Sequence, residues 1–268
     1  MSLDKLDLTG RQAVITGGGS GLGRAMALGL SAAGADVAVC GRRLAPLEEV
    51  SQEVKSRGRR SLALTADITN PNQVNDMIAR VLQEWGGVDI LINNAGIVRE
   101  WTPKPLWETT DEEWRVGIDT NLSGAFYCCR AVSKHMAEQG RGCIINLSSG
   151  FGMRGQRENY MYCAAKAGVI NFTRSLTLSL SGYGIRINCI APGFFATIPE
   201  VQDYSYSGQF IPIGRVGDPD EIAGLAVYLA SDAAAYITGE VFLADGGALA
   251  GGYAPTGSAP LLSLEGSL

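Results

Sequence analysis

The stretch ENYMYCAAK, residues 158–166, places two tyrosines and a lysine within nine positions. In an α-helix, residues four apart share a face, so Tyr162 and Lys166 would stand side by side. Tyr160 and Lys166 are six apart and point to different sides. A phenol beside an ammonium is an acid–base device. A free tyrosine, with a pKa of about 10, holds its proton too tightly to act as a base near neutrality. A neighbouring positive charge favours the phenolate and lowers that value. An isolated Tyr-x-x-x-Lys is more often an amphipathic helix with a solvated lysine, so the pair needs support from the rest of the chain.

TGGGSGLG, residues 16–23, supplies something for the pair to work beside. It follows the apolar, β-branched run QAVIT and opens a helical stretch. Gly17, Gly21 and Gly23 stand where a tight strand-to-helix turn needs them. Without Cβ atoms the backbone can approach a pyrophosphate, and the helix N-terminus offers it free N–H groups and positive dipole. After the second apolar run, DVAVC, the chain reads Gly41-Arg42-Arg43. An acidic side chain there would accept hydrogen bonds from an adenosine ribose and favour NAD; none is present. Gly41 leaves space, and Arg42 or Arg43 can pair with a 2′-phosphate. NADP(H) is therefore favoured. NAD(H) is the alternative, because two solvated arginines at a helix start also suit an NAD enzyme.

These groups need a scaffold, and the hydrophobic pattern describes one. Strands are predicted at QAVIT, DVAVC, SLALTAD, VDILINN, CIINLSS, IRINCIAP and EVFLADGG. Between them run helical stretches at 22–33, 44–58, 72–85 and 111–138, then a helix carrying Tyr162, and DPDEIAGLAVYLAS capped by Asp218. Continuous apolar strands separated by helices imply a parallel sheet buried on both faces. Right-handed crossovers make it an α/β, Rossmann-like, doubly wound sheet of about seven strands with helices on both faces. Residues 1–250 read as one domain, with a cofactor-binding N-terminal half and a substrate-binding C-terminal half. Residues 251–268, rich in Gly, Ser and Pro, read as a tail that is flexible or lies on a neighbouring subunit.

Composition removes several function classes. The 268 residues are 46% hydrophobic and 18% charged, enough for an ample core. A net charge of −5 argues against nonspecific nucleic-acid binding and against an anionic membrane surface. MSLDKLDLTGRQ is too polar for a signal peptide, and no apolar run approaches the ~20 residues that span a bilayer. A cytoplasmic location is expected. The six cysteines form no C-x-x-C pair and mostly sit in apolar runs, so buried thiols are expected rather than disulfides or zinc ligands. The one histidine, His135, is expected on a helix surface, which leaves no His-based triad and no metal cluster.

In their order along the chain, these stretches resemble the short-chain dehydrogenase/reductase family over nearly the whole sequence. TGGGSGLG is similar to its T-G-x-x-x-G-x-G loop, Asp67 in ADIT to its adenine-contacting aspartate, and NNAG (93–96) to its fourth-strand motif. Asn121 in TNLSGAF, the serine of IINLSSG, the YCAAK pair and APGFFAT complete the likeness. The family usually sets its serine thirteen positions before the tyrosine, which selects Ser149 over Ser148 and Tyr162 over Tyr160. The resemblance thus implies a tetrad of Asn121, Ser149, Tyr162 and Lys166. It also implies cofactor contacts from Gly17, Ser20, Gly21, Leu22, Gly23, Arg42, Asp67 and Ile68 in the first half. Asn94, Gly96, Tyr162, Lys166, Pro192, Gly193, Phe195 and Thr197 would supply the rest, without a metal.

The implied activity is hydride transfer between NADP(H) and a carbonyl or secondary alcohol, acting on the CH–OH group, with Tyr162 as acid or base. Ser149 would orient the substrate oxygen, and Lys166 would hold the nicotinamide ribose. Asn121 would anchor a water linking Lys166 to solvent. Thr197 and the Pro192–Gly193 backbone would position the carboxamide. The substrate wall is expected from Gly150–Arg157, Ile97–Trp101 and an aromatic segment after Gly193, with Phe194, Tyr204, Tyr206 and Phe210 as a lid. Two other readings stand. One is a 3-oxoacyl thioester on acyl carrier protein, disfavoured by net charge and by Gly140 and Tyr183 where such reductases carry arginines. The other is an NADP(H)-binding regulator or scaffold. Family resemblance implies a homotetramer or homodimer, with interfaces at 111–138, 162–180 and the last strand.

Overall fold

The computed structural model describes residues 3–97, 103–197 and 203–250. Seven parallel strands form one sheet in the order β3-β2-β1-β4-β5-β6-β7. They are β1 (Gln12–Thr16), β2 (Asp36–Gly41), β3 (Ser61–Thr65), β4 (Ile90–Asn93), β5 (Gly142–Leu147), β6 (Ile185–Pro192) and β7 (Val241–Ala244). The helices are α1 (Gly21–Ala32), α2 (Leu44–Ser56), α3 (Pro71–Trp85), α4 (Asp111–Ile118), α5 (Gly124–Glu138), α6 (Tyr160–Leu180), α7 (Ser205–Gly208) and α8 (Ala223–Ala230). The chain order reverses between β1 and β4, so a crevice opens at their carboxyl ends, where such sheets bind ligands.

Strand alternation divides the core in two. Ala13 and Ile15 of β1, Val37 and Val39 of β2, and Ile90 and Ile92 of β4 face one side with α1, α2 and α8. Val14, Ala38, Cys40, Leu91 and Ile144 face the other with α3 and α5. Side chains on both faces therefore need to be apolar, which is why these strands read as unbroken hydrophobic runs rather than alternating ones.

Several boundaries differ from the sequence expectation, each for a local reason. The predicted helix 111–138 is interrupted by a wider π-turn at Asp119–Ser123, because Asn121 Nδ2 donates to the Gly117 carbonyl and competes with the regular ladder. The strands predicted to end in LTAD, LSS and ADGG stop at Thr65, Leu147 and Ala244. At the last of these, Gly246 and Gly247 take φ of +62° and +87° and reverse the chain. The helix capped by Asp218 begins as a 3-10 turn, with a reciprocal capping box between Asp218 and Glu221. His135 is half-buried rather than on the surface: its Nε2 accepts a hydrogen bond from the Val88 N–H at the entry to β4. The tail 251–268, residues 98–101 of the expected wall and residues 198–202 lie outside the described residues.

Candidate active site

Three elements converge on the expected tetrad. β5 delivers Ser148 and Ser149, which lie just past its end. The two hydroxyls serve different partners: Ser148 Oγ donates to the Lys166 carbonyl at 2.7 Å, whereas Ser149 Oγ accepts from the Phe151 N–H and lies close enough to Tyr162 to favour its phenolate. Ser148 is thus a buried fastener between β5 and α6. Gly152 makes that fastening possible, since a Cβ there would sit 2.5 Å from Ser148 Oγ. α6 presents Tyr162 and Lys166 one turn apart, and the Lys166 ammonium lies 5.7 Å from the Tyr162 ring centroid. Both side chains are buried, at 7% and 4% exposure. Tyr160 stands apart, with its hydroxyl 3.5 Å from the Lys104 carbonyl.

Asn121 closes the group from the π-turn. Its Oδ1 accepts from the Ile97 N–H at 3.1 Å, and its Nδ2 donates to the carbonyls of Ile97 and Gly117. Both amide hydrogens are therefore spent on backbone. Gly96 is the meeting point: a Cβ on it would lie 2.7 Å from Asn121 Oδ1 and 3.3 Å from Lys166 Nζ.

Burial pushes the Tyr162 phenol up from 10, and the Ser149 hydroxyl pulls it part of the way back. Lys166 pays the same desolvation cost, and burial brings its ammonium down from 10.5 to about 8. Its Nζ donates to the Leu147 carbonyl at 2.9 Å and so is held by the sheet end rather than by the phenol. With only the chain's own groups acting, Tyr162 keeps its proton.

A cleft of about 770 Å³ runs along the carboxyl ends of β1, β2 and β3, and Gly96 and Ile97 on its wall adjoin Lys166 and Asn121. Gly17 and Gly21 take φ of +65° and +51° to make the loop before α1. Ser20, at the α1 N-cap, makes no side-chain capping bond, so the first N–H groups of the helix are left for a ligand. Leu22, Arg42, Arg43, Asp67, Ile68, Asn94 and Gly96 line the rest, and Thr197 faces Gly21 across it. Asn94 braces the glycine loop through Nδ2 donating to the carbonyls of Thr16 and Gly17. Asp67 Oδ1 accepts from the N–H and hydroxyl of Thr69, which fixes the turn after β3. A loop with uncapped helical N–H groups and arginines at the end of β2 fits a dinucleotide bearing a 2′-phosphate.

Ile68 borders the cleft while its side chain packs into the core against Gly124. Gly23 is buried, where a Cβ would come 2.2 Å from the Gly17 carbonyl oxygen, so its role is close helix–loop packing. The Phe195 ring packs on Gly217 and the core, away from the cleft. Pro192 and Gly193 instead border a second, small pocket with Ser149, Gly150, Phe151 and Phe194. Its far wall, Asp245, Ala248 and Leu249, was missed in the sequence. The Asp-Gly-Gly turn after the last strand was the available signal. Among the described residues there is no cluster suited to a metal, and no helix is long and apolar enough to cross a membrane. The Tyr206 side chain lies outside the description; Phe194 and Phe210 are exposed.

Known proteins agree with this geometry. A family model described as enoyl-(acyl carrier protein) reductase matches residues 17–248. The chain belongs to the short-chain dehydrogenase/reductase family. As such it is an oxidoreductase of the nicotinamide-dependent type. A 3-oxoacyl-[acyl-carrier-protein] reductase from Synechocystis is 41% identical over 90% of this chain and 97% of its own length. A solved gluconate 5-dehydrogenase from Burkholderia cenocepacia, in complex with NADP and tartrate, is 32% identical with a TM-score of 0.87, covering 94% of this chain and all of its own. A putative short-chain alcohol dehydrogenase from Sinorhizobium meliloti is 38% identical with a TM-score of 0.85, covering 91% of this chain and 98% of its own.

Proposed function

We propose that this short-chain dehydrogenase/reductase interconverts a ketone and a secondary alcohol with NADP(H), Tyr162 giving the proton in reduction and taking it in oxidation. The observation that carries the reading is the placing of Tyr162 and Lys166 one turn apart on α6, with Ser149 at the end of β5 close enough to act on the phenol, beside a cleft whose wall at Gly96 lies against both Lys166 and Asn121. The bound nicotinamide supplies or accepts the hydride. The residues do the remainder. Ser149 and Tyr162 direct two hydroxyls at one oxygen, where charge develops as the carbonyl is reduced. A Tyr162 phenol that stays protonated at neutral pH suits the acid role. In oxidation the phenol must first lose its proton, with Lys166 one turn away to favour the phenolate. Asn121 is a positioning residue that holds Ile97 and the Gly96 wall.

NADP(H) is preferred because β2 ends in Gly41-Arg42-Arg43, both arginines line the cleft, and no acid follows the strand. A gluconate 5-dehydrogenase relative with NADP bound supports the same choice.

A second reading, a 3-oxoacyl thioester on acyl carrier protein, draws support from the Synechocystis relative's activity. Against it, Gly140 and Tyr183 replace the expected arginines, and the neighbouring Arg141 is engaged with the buried Asp89 carboxylate at 2.9 Å. The test is an assay with NADPH and NADH against small ketones, secondary alcohols and a 3-oxoacyl thioester, alongside Tyr162→Phe. Oxidation of NADPH that Tyr162→Phe abolishes is expected. Full turnover by that variant would sink the mechanism, and tight NADPH binding without turnover on any compound would favour the regulator reading.

A further inference from the structure

The small pocket beside Ser149 is closed by the segment that follows β7. Asp245 uses both carboxylate oxygens to shape it: Oδ1 accepts from the Gly247 N–H and Oδ2 from the Leu249 N–H, each at 2.9 Å. The turn is locked to β6, because Gly193 N–H donates to the Ala244 carbonyl and a Cβ on Gly193 would lie 2.7 Å from Asp245. This places Leu249 over Gly150, the residue after Ser149: a Cβ on Gly150 would meet Leu249 Cδ1 at 3.4 Å. Phe151 and Phe194, packed edge to face at 6.1 Å, form the opposite side. The space, open on one side, is about 40 Å³ on the measure by which a single water needs about 10–15 Å³. It therefore has room for about three waters, the bulk of a propyl group.

We propose that Leu249 is a specificity-determining residue, the end wall that limits the smaller of the two substituents on the substrate carbonyl. The inference rests on the proposed reaction at Ser149 and Tyr162. A carbonyl oxygen held by those hydroxyls has one substituent directed at Gly150, and Leu249 stands behind it. Ketones with one methyl arm fit whatever the length of the other arm. Ketones with two long arms do not.

Two series separate these cases: methyl ketones of increasing length, and symmetrical ketones from acetone to 5-nonanone. A methylene that does not fit an apolar pocket costs about 10- to 200-fold in kcat/KM, so the wild-type enzyme should fall by at least tenfold between 4-heptanone and 5-nonanone. Leu249→Ala should recover at least tenfold on 5-nonanone and change 2-nonanone less than threefold. Leu249→Phe should move the cut-off to a smaller ketone. NADPH affinity, read by nicotinamide fluorescence, should match wild type in both variants. Saturation-transfer NMR of ketone binding reads the same cut-off without turnover, so an inactive enzyme would count against the proposed reaction alone. An identical size profile for wild type, Leu249→Ala and Leu249→Phe in binding and turnover would overturn the inference.

Discussion

Replacing Ser148 and Ser149 one at a time with alanine should cost similar stability but separate in turnover, although the two are adjacent. Ser148 Oγ lies 2.7 Å from the Lys166 carbonyl, and the residue is buried. Its removal deletes one neutral hydrogen bond and leaves a buried carbonyl short of a partner, a cost of about 1–2 kcal/mol. For a chain of this length that is about 2–8 °C in melting temperature. Turnover should stay within about tenfold, because no substrate contact is lost. Ser149 instead caps the short turn after β5 and lies beside the Tyr162 phenol. Losing the cap costs about 1 kcal/mol. Losing a donor to the developing oxyanion costs about 10²–10³ in kcat. The measurements are thermal melts and kcat and KM for one ketone, with NADPH affinity as the control for a preserved cleft. If Ser148→Ala lost turnover as deeply as Ser149→Ala while its melt stayed at the wild-type value, the division of roles between the two hydroxyls would be wrong.

Lys166→Met should abolish turnover and stabilise the protein at pH 7. The folded pKa of Lys166 is about 8 against 10.5 unfolded, so between those values the unfolded chain holds a proton the native chain lacks. Wild-type stability therefore rises with pH across that window, by about 3 kcal/mol in all. The variant's advantage should close by pH 10, and an advantage independent of pH would refute the buried ammonium. Arg42→Ala should weaken NADPH by roughly 10- to 100-fold, the worth of a charge-assisted hydrogen bond, and leave NADH within threefold; equal losses for both would remove the 2′-phosphate contact. With a chromogenic disulfide reagent, only Cys163 should react quickly in the native protein. Cys40, Cys128, Cys129, Cys143 and Cys189 are buried, and desolvation raises all five thiols, Cys40 and Cys129 to about 12 and Cys189 to about 11. A second fast thiol in native conditions would contradict that packing.

Much of the site was legible because its signals are local. Helical spacing paired Tyr162 with Lys166, and the strand–glycine–helix order marked the phosphate loop. The parallel sheet followed from strands that are apolar on both faces. Less legible were features that depend on which groups meet across the chain. Asn121 was expected inside one long helix. Its bonds to Ile97, 24 residues away, and to Gly117 open a π-turn instead. Phe195 sits in a cofactor-loop motif, yet its ring turns to Gly217.

The sequence by itself determined the family, the sheet and the identity of the acid–base pair, since these follow from residue type at short spacing. Only the tertiary structure decided the burial of that pair and the reach of the pocket beside it. Tyr162 and Lys166 are both buried, and desolvation raises the phenol and lowers the ammonium, which no spacing along a helix reveals. Leu249 lies 100 residues from Ser149 in the chain. It meets Gly150 because β5, β6 and β7 are neighbours in the sheet and Asp245 turns the chain back over their ends.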